Sequence, residues 1–132
     1  MRHAIVGGLA VILSLAVSNS GKAQPMTTST PTTRILAIGT INPGTDQAKV
    51  LAILPNEVRE TVNLYLDGKI EQWYSLQDRR GVAFILNVTD PAAAHEMLED
   101  LPLGRAHLMS FELIALGPLN PLRQLSGMTP KH

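Results

Sequence analysis

Few side chains in this sequence are placed to do chemistry, and the best of them stand on apolar segments. Glu112 lies inside residues 108–116 (LMSFELIAL), where an ionised carboxylate is costly unless it is paired or wetted. Facing a closed cleft, it would have its pKa raised by desolvation and could move a proton. Facing another subunit, it would form an interface ion pair. Tyr74 brings a hydroxyl on residues 69–75 (KIEQWYS), with Gln72 on the same side by strand alternation, as Ser110 is for Glu112. Arg80 and Arg105, with Arg79, offer guanidinium forks suited to a substrate carboxylate, against the alternative of exposed turn arginines. The candidate site is therefore Glu112 and Tyr74 as catalytic groups, with Arg80, Arg105, Gln72 and Ser110 as substrate contacts. Trp73 reads as core or interface packing.

Other chemistries lack their residues. The chain has no cysteine, and His95 and His107 fall on different elements without clustered carboxylates, so no metal site is expected. His95 stands four residues before Glu99, a solvated surface pair by spacing; His107 suits a cleft mouth or the surface. No glycine-rich phosphate loop, nucleophile elbow or serine-triad spacing occurs, and no cofactor is expected.

The elements that must position the candidates follow from periodicity. Residues 34–41 (RILAIGTI) form a short buried strand closed by Asn42-Pro43-Gly44. Thr45 or Asp46 caps a helix over 46–53, and Pro55, lacking an amide hydrogen, starts a second one. Asn56 and Glu57 then fall in its first turn, where the dipole favours acid. Leu51, Leu54, Val58, Val62 and Tyr65-Leu66 make its apolar face, and Gly68 takes the left-handed position past its end. Residues 69–75 and 82–88 (VAFILNV) pair as a hairpin across a polar turn. Asp90-Pro91 opens another helix with Ala94, Met97, Leu98 and Leu101 inward, ended by 101–104 (LPLG); residues 108–116 are the last strand. Strand, helix, strand, strand, helix, strand is the ferredoxin-like order, an α+β fold whose four-stranded antiparallel sheet carries both helices on one face.

The other face of that sheet should be polar, yet Ala83 and Ile85 oppose Val82, Phe84 and Leu86, and Ile114 opposes Phe111. So much apolar surface calls for a second copy packed sheet to sheet in a homodimer or higher oligomer.

The beginning of the chain reads as a secretory signal. Arg2 and His3 precede 14 uncharged residues, 4–17, and small polar ones run to Ala23. The apolar run is short of the roughly 20 residues that span a bilayer, and Gly21 and Ala23 suit cleavage before Gln24. Export to the periplasm or medium follows, with no stable membrane anchor after cleavage. Losing Arg2 and Lys22 from 11 basic residues leaves 9 against 11 acidic ones, a net charge of −2, which is no footprint for nucleic acid. The organisation is a signal over 1–23, a flexible threonine-rich leader over 24–33, one domain over 34–123 and a tail over 124–132.

The run from Gly68 to Leu116 also resembles the muconolactone isomerase-like family. It holds Trp73-Tyr74 on an alternating strand, then Asn87-Val88-Thr89-Asp90, a short helix and Leu101-Pro102-Leu103 at the family's spacing; residues 34–66 resemble an uncharacterised bacterial branch of it. The resemblance implies a dimeric α/β barrel with a small-molecule cleft between sheet and helices, and isomerase or cyclase chemistry by acid and base. Where the isomerases tend to carry histidine and aromatics, this chain has Asp78-Arg79-Arg80, so no catalytic residue is carried over. A non-catalytic periplasmic ligand-binding or assembly protein is the alternative.

Overall fold

The computed structural model describes residues 30–125; the expected signal, most of the expected leader and the end of the tail lie outside the described residues. Strand β1 (Arg34–Ile41) leads to helix α1 (Gln47–Leu66), then β2 (Ile70–Ser75) and β3 (Gly81–Leu86). Helix α2 (Pro91–Glu99), a single helical turn α3 (Pro102–Arg105) and β4 (Met109–Leu116) follow. The strands form one antiparallel sheet in the order β2-β3-β1-β4. This is the ferredoxin-like fold, with the two termini of the βαββαβ chain on the central and outer strands.

The caps stand where the side-chain chemistry puts them. Asp46 accepts from the Ala48 amide at 2.9 Å and Asp90 from the Ala92 amide at 3.0 Å, each satisfying a free donor of a first turn. Gly68 follows α1 with φ of 75°, the left-handed value that glycine adopts without strain.

One expectation is corrected. Pro55 does not divide the helical region: α1 runs unbroken over 20 residues with the proline inside it. Pro55 and Leu51, whose carbonyl loses its partner, are both exposed, so water can replace the missing hydrogen bond. The halves on either side stay aligned because Val50, Ile53, Glu57 and Leu64 pack inward along one line. The predicted apolar face is therefore rotated by about one residue from the buried one. Leu51 is 54 % and Val58 53 % exposed, while Glu57, placed mid-helix and not in a first turn, is 8 % exposed.

The core lies between sheet and helices. Ile35, Ala37, Ile70, Phe84 and Leu86 meet Ala94 and Leu98 of α2, and a second cluster joins Val50 of α1 to Leu103 and Met109. Gly39 belongs to this face by necessity: a Cβ there would stand 2.8 Å from the Phe111 ring, which crosses β1 at that point. On the other face Leu36, Ile38, Ala83 and Ile85 are half-buried, and no element among the described residues covers them. Before β1, Thr33 donates to the Leu116 carbonyl at 2.8 Å and Thr30 bonds Asn120, so residues 30–33 run beside the end of β4.

Candidate functional site

Sheet register decides which of the candidate residues meet. Glu112 is opposite Ile38, Ile38 opposite Ala83, and Ala83 opposite Tyr74. Glu112 and Tyr74 thus share one row on the face away from the helices, but at its two ends. Three strand spacings, about 14 Å, separate them, so one protomer does not bring them together. Glu112 is exposed on the outer strand. Tyr74 donates its hydroxyl to Gln72 at 2.8 Å, and Ser110 donates to the Asn42 side chain. Arg105 is engaged by Glu60 at 3.2 Å, and Arg80 is exposed on the hairpin turn. His107 is exposed with φ of 56°, and His95 faces Glu99 at 3.5 Å. No group of three histidines or acids suited to a metal occurs among the described residues.

The concave site lies between α1 and the sheet, and of the candidate residues only Tyr74 borders it. There a cavity of about 450 Å³ is lined by Leu54, Val58 and Val62 of α1 and by Trp73, Val82 and Phe84 of the hairpin strands. That size and apolar character are those of small-molecule sites. Trp73 and Phe84 are opposite each other in register, and so are Ser75 and Val82, which places all four on the helix side of the sheet. The indole of Trp73 is stacked on the Tyr65 ring with centroids 4.1 Å apart, which fixes its plane.

Glu57 is the single carboxyl in this lining. It occupies the inward line of α1 between Ile53 and Thr61, one helical turn to either side. Its Oε2 accepts from the Leu103 amide at 2.8 Å, supplying the cap that Leu101 lacks at the start of α3. Its Oε1 makes no hydrogen bond among the described residues. Burial pushes this carboxyl above its ordinary range. The Leu103 hydrogen bond opposes that rise, Glu60 adds to it, and Arg105 opposes it. The result is an acid held toward its protonated form beside an apolar cavity. A carboxylic acid there can donate a proton, and once ionised it can take one back.

The raised value sets a pH dependence of stability. Above the ordinary value of 4.5 the unfolded chain releases this proton before the native state does. The stability contributed by Glu57 is therefore complete below pH about 4.5 and declines as pH rises through the folded value. Denaturation from pH 4.5 to 8 should show that decline in the wild type and a flatter profile in Glu57→Gln. Glu60 and Arg105, the charged neighbours, are common to both proteins.

No protein-family profile matches the chain, and no curated protein does. Among solved structures, the chain is similar to the crystal structure of muconolactone isomerase at 3.3 Å resolution. The TM-score is 0.54 with 18 % sequence identity over 74 % of this chain and 97 % of that one. At that identity the likeness is one of fold: the chain has the ferredoxin-like α+β architecture of that isomerase.

Proposed function

We propose that this chain is an exported small-molecule enzyme of the isomerase or cyclase type, in which Glu57 moves a proton within the cavity between α1 and the sheet. The observation that carries the reading is a carboxyl 8 % exposed, lining an apolar cavity, with one oxygen fixed by Leu103 and the other without a protein partner. An ionised Glu57 would take a proton from a C–H bond next to a carbonyl, the electron pair passing into an enolate. The acid so formed would return the proton to a different carbon of the conjugated system, which isomerises the substrate with no net change in atoms or electrons. Thr61 and Ser75, hydroxyl residues in the lining of the same cavity, would be the donors to the enolate oxygen.

The fold shared with muconolactone isomerase supports this type of chemistry as an analogy. The uncovered apolar sheet face supports a homodimer, and the apolar N-terminal run supports export.

The bond from Leu103 favours a second reading, in which Glu57 only caps α3 and the cavity binds a ligand without turnover. Glu57→Gln tests the two. It keeps an acceptor for Leu103 and the shape of the cavity but has no exchangeable carboxyl proton. Proton transfer from a bound carbon acid should stop while binding persists; an unchanged rate would leave Glu57 a cap.

A further inference from the structure

We infer that the ligand of this cavity is a neutral carbonyl compound of about one or two rings, and that carboxylates are excluded from it. The inference rests on Glu57 facing the cavity, and it adds the class of molecule that the cavity accepts.

The exclusion follows from charge. The lining contains no arginine, lysine or histidine. Arg105, whose charge acts on Glu57, lies outside the lining and is bound by Glu60 at 3.2 Å. A ligand carboxylate would leave water to face largely aliphatic and aromatic walls, with only the neutral hydroxyl residues Thr61 and Ser75 and the Glu57 carboxyl as polar neighbours. No cation in the lining would pair its charge. The three arginines that a sequence reading offers for carboxylate binding, Arg79, Arg80 and Arg105, are all exposed.

Shape follows from Trp73. Its indole forms part of the wall, and Tyr65, which is not in the lining, stacks on it at 4.1 Å with planes 16° apart. A flat wall held in plane favours a flat ligand, because stacking area is gained with little loss of side-chain freedom. Phe84 opposite Trp73 in register adds a second aromatic surface. A volume of about 450 Å³ is filled by a small ring system.

The carbonyl follows from Glu57. Its Oε1 has no protein partner, and burial raises its hold on a proton, so a group that accepts a hydrogen bond without carrying charge suits it. A ketone or lactone oxygen does so.

The test uses a matched pair, 2-tetralone and tetralin-2-carboxylate, titrated into the full chain at pH 6. Binding is read by calorimetry and by the emission of Trp73, the one tryptophan in the chain. The ketone should bind with a change in Trp73 emission, and the carboxylate at least about 10-fold more weakly, since it is left without a partner for its charge. In Val58→Arg, which adds a cation to the lining, the carboxylate should gain on the ketone. A wild type that prefers the carboxylate, or binds neither below about 1 mM, overturns the inference. Ketone binding that leaves Trp73 emission unchanged overturns the placement in this cavity. The acid–base role fails separately: ketone binding without proton transfer in the wild type would sink the catalytic reading and leave the ligand class standing. Carboxylate preference with proton transfer lost in Glu57→Gln would do the reverse.

Discussion

Leu86→Ala is expected to destabilise the domain by about 2–5 kcal/mol, and Ile85→Ala, one residue away, by much less in an isolated protomer. Leu86 has no exposed surface and is opposite Ile35 on one side and Ile70 on the other, under Leu98 of α2. Truncating it leaves a cavity that neighbours on three strands and a helix cannot collapse to fill. A loss of that size is a large part of the roughly 5–15 kcal/mol that holds a domain together. Ile85 points to the uncovered face and is half-buried only by its neighbours in the sheet. The comparison therefore also reads the assembly. If a second copy packs on that face, Ile85→Ala should cost nearly as much as a core truncation and should make the midpoint depend on protein concentration. Chemical denaturation at two protein concentrations measures both effects. A small, concentration-independent cost for Ile85→Ala would count against the sheet-to-sheet dimer.

That contrast rests on strand parity, which was the most legible feature of the sequence. Alternation placed Phe84 and Leu86 on one face and Ala83 and Ile85 on the other, and the structure has them so. Turn and cap chemistry was equally local and equally readable: Asp46, Gly68 and Asp90-Pro91 mark real helix ends. Register was not local. Parity puts Glu112 and Tyr74 on a common face, but the order β2-β3-β1-β4, which places them on opposite edges, depends on which strands pair across the whole chain.

Helix α1 hid the candidate site for a different reason. Two stripes run along it, offset by one residue or about 100°. The more hydrophobic one, through Leu51, Leu54, Val58 and Tyr65, is largely exposed and partly walls the cavity. The buried one, through Val50, Ile53, Glu57, Thr61 and Leu64, reads as less apolar because a carboxyl, Glu57, stands in it. A signal was present in the spacing of Val50, Ile53 and Leu64 around Glu57. The proline at position 55 obscured it by suggesting that a new helix began there, which made Glu57 a first-turn acid. A charged residue on the inward line of an amphipathic helix is costly to keep, and that cost is what points to a use for it.

Glu57→Gln should therefore reduce proton transfer by about 10²-fold or more while leaving the fold and the cavity intact. A probe independent of the natural substrate is 5-nitrobenzisoxazole, a neutral bicyclic carbon acid. A carboxylate removes its C–H proton, the electron pair completes a nitrile as the N–O bond breaks, and the phenolate that leaves is read by absorbance. The wild-type rate should rise with pH as Glu57 ionises, through a value above the ordinary carboxyl range, and then level off. In Glu57→Gln only the buffer-dependent background should remain. Glu57→Leu separates catalysis from capping. It removes the acceptor for the Leu103 amide and leaves a buried donor unpaired, so it should lower stability by about 1–3 kcal/mol. Glutamine keeps that acceptor and should not. Equal loss of stability in both variants, with the wild-type rate retained in glutamine, would make the carboxyl a cap for α3. Loss of rate in glutamine at wild-type stability has no structural explanation, because shape, burial and the Leu103 hydrogen bond are all preserved and only the exchangeable proton is gone.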